Sequence, residues 1–389
     1  MIRKIPLIIA GMAAPALAVL SVQGAAAVAA PGSGAIWQIV PSPNPGTFPT
    51  LLAVAASSAS DAWTVGYYAN STNSTYFSLA EHWNGRAWAV VPTPNPFGTE
   101  NILNAVADLT PAHAWAVGYS VDNSNYYNPV YQPLIEHWDG TGWSAVPAAT
   151  DSNGAADVLD GVAAASATDV WAVGNHFDTA IGGDDGLIEH WNGSRWSIVP
   201  SPISAASLSS VAVISASDVW AAGQASGGQP VFEHWDGTTW TAFSGPPIST
   251  AYVSVSGITA VSANDVWAVG TTRGTARGAP YQTLSEHWNG TKWSIVPSPD
   301  PVAGNDALIQ ATALSSSDVW AVGYDYGSAG GASPLLANWD GTKWHAVPAP
   351  VPSGTQYNEL ASVAALPTGT VWAVGRSGYE DLIIHTSNG

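Results

Sequence analysis

The chain has 389 residues with 9 Lys and Arg against 28 Asp and Glu, a formal net charge of -19, and no cysteine. A surface that acidic repels phosphate backbones and anionic lipid, which excludes nucleic acid and electrostatic membrane attachment as partners. Without cysteine there is no structural disulfide, no thiolate catalysis and no cysteine-ligated zinc.

Taken in order, the chain opens with Arg3 and Lys4, an apolar run over residues 5–20 and the small residues Ala27-Val28-Ala29. This is the pattern of a cleaved secretory signal, so residues 1–30 are expected to be removed and the rest exported. The run is short for a membrane span and holds Pro6 and Pro15, which argues against an anchor. Losing Arg3 and Lys4 takes the net charge from -19 to -21. Residues 31–389 then read as one domain, secreted and monomeric, with no further membrane span.

From residue 35 onward one stretch is written seven times. Its fullest copy runs Leu208-Ser-Ser-Val211, Asp218-Val-Trp220-Ala-Ala-Gly223 and Glu233-His-Trp235-Asp-Gly-Thr-Thr-Trp240. Each copy reads as four short strands, the last two joined by Asn-Gly or Asp-Gly. That dipeptide predicts a two-residue type I′ hairpin, in which both positions take positive φ. The second-strand tryptophans Trp63, Trp115, Trp171, Trp220, Trp267, Trp320 and Trp372 are spaced by 47 to 56 residues. Propeller repeats fall at roughly 40–50 residues. A single four-stranded sheet cannot bury both faces, so copies must pack around an axis. The predicted fold is all-β, a seven-bladed β-propeller of four-stranded antiparallel blades. The last copy stops after its third strand, and an orphan fourth strand around Trp37 precedes the first copy. Pairing these two closes the ring and removes its exposed edges.

Between copies lie proline-rich crossings such as Pro41-Ser-Pro-Asn-Pro45 and Pro297-Ser-Pro-Asp-Pro301, read as stiff connectors. The pairs Glu81-His82, Glu136-His137, Glu189-His190, Glu233-His234 and Glu286-His287 invite an acid–base or metal reading. Repetition argues against it, because equivalent positions are carried apart around the ring and cannot converge. Each His is instead expected to bond the Asp that opens its second strand (Asp61, Asp169, Asp218, Asp265 and Asp318).

Whatever repeats is scaffold, and function is expected where the copies differ. The connections between second and third strands vary in length and share one face of the disc with the proline crossings. They hold the candidate ligand-binding residues Tyr67, Tyr119, Asp122, Tyr126, Tyr127, His176, Asp178, Tyr324, Asp325, Tyr326 and Tyr379. Tyrosine faces beside carboxylates and amides suit a sugar ring, and they equally suit a protein partner. No cofactor is expected; calcium at Asp184 and Asp185 is the one weak candidate.

The Asp-Val-Trp-Ala-Val-Gly and Glu-His-Trp-Asn-Gly-x-x-Trp repeats resemble those of secreted actinobacterial-type propellers of the kelch and galactose-oxidase central-domain superfamily. They are also similar to tectonin-type lectin repeats. The sequence departs from kelch at the Gly-Gly doublet, where it has Val65-Gly66 or Ala222-Gly223. Zero cysteine removes the Tyr-Cys crosslink that the resemblance would need for copper oxidation. The leading expectation is an exported, non-catalytic propeller that binds carbohydrate or a surface partner through its long-loop face. The alternatives are a carboxylate-based glycoside hydrolase or lyase on that face, and a structural envelope or matrix protein.

Overall fold

The computed structural model describes residues 28–29 and 36–387, apart from 71, 73–74, 97–98, 123–128, 150–155, 179–181, 250–251, 302–303 and 328–330. Among the described residues the chain forms 29 β-strands and no helix. The first repeat comprises Thr47–Ser58, Asp61–Ala69, Tyr76–Trp83 and Trp88–Val90, paired antiparallel in sequence order. The next five repeats follow the same plan.

These meanders group into six sheets rather than seven separate ones. Four are four-stranded. An eight-stranded sheet holds the first two repeats, joined by the single parallel pair Tyr76↔Glu100. The sixth contains Asn358–Ala365, Val371–Ser377 and Glu380–Ser387, with Ile36–Ile39 paired to the last of them through Trp37↔Thr386 and Ile39↔Ile384. Val28–Ala29 adds a fifth strand beside Ile36–Ile39, so this sheet exceeds the expected four. The remainder of the expected signal lies outside the described residues.

The first strand of every repeat carries a bulge just after its Leu or Val, as at Leu208/Ser210. The cause is visible opposite. At Gly174 an added Cβ would lie 2.0 Å from the Val158 carbonyl oxygen, and Gly66, Gly118, Gly223, Gly270, Gly323 and Gly375 show the same approach at 1.9–2.0 Å. The Gly that closes each Trp-x-x-Gly segment is therefore required by backbone contact across the bulge.

The third-to-fourth strand turns correct one expectation. Trp83 pairs Trp88, so the turn has four residues, and of Asn84 and Gly85 only the glycine has positive φ, at 88°. Asn84 Oδ1 instead accepts from the backbone N–H of Arg86 and Ala87, at 3.0 and 3.1 Å. Asp139, Asp236 and Asp340 do the same in their repeats. The side chain caps the turn and replaces the positive φ that a type I′ turn would have needed.

The core lies between successive repeats. Each second-strand tryptophan is 0–2% exposed and meets the fourth-strand tryptophan of the next repeat edge to face. Trp63–Trp143 stand 4.9 Å apart at 82°, and Trp267–Trp344 5.5 Å apart at 90°. The series continues through Trp320–Trp37 at 5.2 Å and 67° to Trp372–Trp88 at 5.2 Å and 87°. Those last two contacts tie the N-terminal strand to repeat six and repeat seven to repeat one. Leu51, Val54 and Leu79 share a buried cluster with Trp372, Val374 and Ile383. T-shaped pairs of this kind contribute about 0.5–1.5 kcal/mol each beyond the burial of their area.

Candidate binding face

Among the described residues of the face carrying the proline connectors, most of the candidates lie on strand ends where the sequence reading expected loops. Tyr67, Tyr119, His176, Asp178, Tyr324, Asp325 and Tyr326 all sit on second strands, which run past their glycine to residues 69, 122, 178 and 326. Continued pairing with the third strand satisfies the backbone there. Tyr379 lies in the short turn of the last repeat, exposed, and Asp122 is exposed at its strand end. Tyr126 and Tyr127 lie outside the described residues.

Four of the candidates converge. Tyr67, Tyr119 and Tyr324 each follow the strand-two glycine, and Arg376 holds that place in repeat seven. Tyr67 meets Tyr76 at 5.6 Å, Tyr119 meets Tyr131 at 5.9 Å, and Tyr324 meets Tyr326 at 5.0 Å. Burial, then the charge of Glu100 and the nearby Tyr131, Tyr67 and Asp160, hold the Tyr119 hydroxyl well above its ordinary range. Tyr324 is raised by burial and then by Glu359, Tyr252 and Tyr281. The repeat-five pair Tyr252–Tyr281, 5.8 Å apart, thus joins the set, with the Arg273 guanidinium 4.9 Å from the Tyr281 ring centre. Arg376 Nε donates to Glu359 Oε2 at 3.0 Å, and the Tyr326 hydroxyl donates to Glu359 Oε1. Burial alone would lower the Arg376 guanidinium, yet its bond to Glu359 holds it above its usual value. The product is a crown of half-buried tyrosines with Glu100, Glu359 and Arg376 among them.

The repeat-three candidates stand apart from the crown. Asp157 pairs His176 across the strands and His176 pairs Asp185, so the three side chains lie in a row on one sheet face. Together with Ser201 they line a cleft of about 250 Å³. The stretch expected to form a calcium loop is strand from Gly183 onward, which turns Asp184 and Asp185 to opposite faces. Asp184 is exposed, while Asp185 Oδ1 accepts from the N–H of Gly186 and Ala205. Among the described residues no cluster of three or more His, Asp or Glu could hold a metal ion. Asp325 is buried, on the side of its strand away from Tyr324 and Tyr326. Tyr379 packs edge to face on Phe48, 4.9 Å away, at the junction of the last and first repeats.

The repeated Glu-His pairs divide their work by strand alternation. His82, His190, His234 and His287 each bond the Asp opening their second strand at 2.6–2.8 Å and lie against its tryptophan. In repeat two His113 replaces that Asp, and in repeat six Asn338 donates to Asp318. The glutamates face the other way and are fully buried. Glu233 accepts from Ser201 Oγ at 2.7 Å and Glu189 from the Ala149 N–H at 2.9 Å, both in the connectors that enter their repeats. Ser42, in the first proline crossing, bridges Glu81 and Asp381. Burial pushes Glu81 and Glu286 up to about 8 and Glu189 and Glu233 up to about 7. Sequence reasoning treated these pairs as scaffold but missed the depth of the carboxyls, which alternation beside an outward His could have revealed. It also missed Glu100, Tyr252, Tyr281 and Glu359 as crown members, because each stands alone in its stretch of sequence.

No family model and no curated protein matches the chain. Solved structures do. The structure described as YCF48 bound to D1 peptide is 13% identical, with a TM-score of 0.56 over 91% of this chain and 97% of that one. The GH74 xyloglucanase of Xanthomonas campestris is 12% identical, with a TM-score of 0.55 over 90% of this chain and 53% of that one. YjhT is 11% identical, with a TM-score of 0.50 over 79% and 98%. At such identities the likeness shows the fold alone. The chain is a repeat β-propeller.

Proposed function

We propose that the chain is an exported, non-catalytic binding protein that recognises carbohydrate through the tyrosine crown. We further infer that residues 31–389 form one domain of seven blades in a closed ring, monomeric, with Ile36–Ile39 as the outer strand of the last blade. The unbroken series of Trp–Trp contacts from Trp63–Trp143 round to Trp372–Trp88 supports that ring. The observation that carries the functional reading is the grouping of Tyr67, Tyr119, Tyr324 and Tyr326 with Glu359 and Arg376 at positions the repeat leaves free to vary. Ring faces take the C–H side of a sugar, and the paired carboxylate and guanidinium hydrogen-bond its hydroxyls. The fold does not choose among functions, since similar structures include a peptide-bound protein and a xyloglucanase.

The test is a screen of the purified chain on an array of glycans and cell-wall polysaccharides, with and without calcium. Saturable binding is expected, reduced at least tenfold by Tyr119→Ala with Tyr324→Ala while the circular dichroism spectrum is kept. If the double variant binds as wild type does, the crown is not the site. If no sugar binds, the reading moves to a protein partner.

A further inference from the structure

We infer that the cleft of repeat three is a separate subsite for a single sugar ring, independent of the crown; this rests on the carbohydrate reading of the same face. Its volume of about 250 Å³ is below the roughly 300–1,000 Å³ of drug-sized ligand sites, which suits one ring and not an oligomer.

One wall is polar. Asp157, 6% exposed, His176 and Asp185 form the cross-strand row, neighbouring strands being about 4.8 Å apart. Asp185 is held in place through Oδ1 by two backbone N–H groups, which leaves Oδ2 for a ligand. His176 makes no hydrogen bond among the described residues, so its ring can both donate and accept. The other wall is apolar: Leu187, Ile198 and Pro200 line it, and Ile198 is 40% exposed. A pyranose has the matching division, with hydroxyls around its edge and C–H groups on a face. The imidazole and the neighbouring Asp185 carboxylate meet vicinal hydroxyls, while the aliphatic wall takes the C–H face.

In two other repeats the same positions are closed. In repeat one they carry Tyr68 and Phe77, stacked at 5.4 Å, which occupy the space themselves. In repeat seven Ser377 donates to Asn358 at 2.6 Å, and the pair satisfies itself. Repeat three combines the His176 ring and Asp185 Oδ2 with an open volume.

The experiment is calorimetric titration of the full chain with a panel of methyl glycosides, in wild type, in His176→Leu and in the crown variant Tyr119→Ala with Tyr324→Ala. The His176 ring protons are followed by NMR as a local readout. A glycoside is expected to bind wild type and the crown variant alike, to shift the His176 ring resonances, and to lose at least tenfold in affinity in His176→Leu. Because His176 bonds to nothing within the described protein, that substitution tests binding and not folding. Glycoside binding that survives His176→Leu, or that leaves the His176 resonances unmoved, overturns the subsite and leaves the crown standing. Polysaccharide binding by the wild type with no glycoside binding does the same. No binding in either format overturns both.

Discussion

Glu286 offers the sharpest test of how these blades are held. Neither of its carboxyl oxygens has a hydrogen-bond partner among the described residues, and burial raises its pKa from 4.5 to about 8. In the fold the group therefore stays protonated to about pH 8, whereas in the unfolded chain it ionises above 4.5. Between those values the unfolded state holds fewer protons, so the group's contribution is fully present below pH 4.5 and is lost as pH rises through 8. At about 1.4 kcal/mol per pH unit the loss is about 1 kcal/mol at pH 5 and about 4 kcal/mol at pH 7.5. Glu286→Gln removes the titration. Any effect of the amide on packing or hydrogen bonding is the same at both pH values and cancels in the difference. Urea unfolding at pH 5 and pH 7.5 is expected to show the stability of the variant relative to wild type rising by about 3 kcal/mol between them. A change below about 0.5 kcal/mol, the size of an ordinary surface substitution effect, would refute the buried, protonated carboxyl.

Three further outcomes follow from the same geometry. Trp37→Ala is expected to cost about 3–5 kcal/mol, as much as Trp143→Ala, because both fill the same place against a second-strand tryptophan; denaturant midpoints that differ widely would break the equivalence of the N-terminal strand with the other outer strands. Gly174→Ala drives a Cβ to within 2.0 Å of the Val158 carbonyl oxygen and is expected to cost at least about 2 kcal/mol, whereas Gly142→Ala, with nothing within 4 Å, stays within about 0.5 kcal/mol by thermal unfolding. Asn84→Ala leaves the N–H groups of Arg86 and Ala87 without their acceptor and is expected to cost about 1 kcal/mol; an unchanged melting temperature would show that solvent replaces it fully.

Much of the architecture is legible in the residue order because it rests on short-range rules repeated seven times. Trp220, Gly223, the Asp-Gly turn and Trp240 each report a local requirement: a buried aromatic, a close backbone approach, a capped turn. Repetition multiplies a weak signal, and the His-to-Asp bond could be inferred from its recurrence alone. The candidate site had no such amplification. Tyr67, Tyr119, Tyr324 and Tyr326 were recognisable as departures from the repeat, but their partners were not. Glu359 and Arg376 come from a different repeat than Tyr326, and only the packing of neighbouring repeats brings Tyr326 onto Glu359.

Sequence by itself determined the all-β repeat, the place of every tryptophan and the regions free to vary, since periodicity and turn chemistry act within a few residues. Tertiary structure decided that Tyr67, Tyr119, His176 and Tyr324 lie on paired strand ends, and that the repeated glutamates lie fully buried. It also decided that the tyrosines gather into one crown while His176 and its two aspartates form a separate cleft. The physical reason is that burial and electrostatic neighbourhood are set by which repeats pack side by side, and that no single repeat encodes.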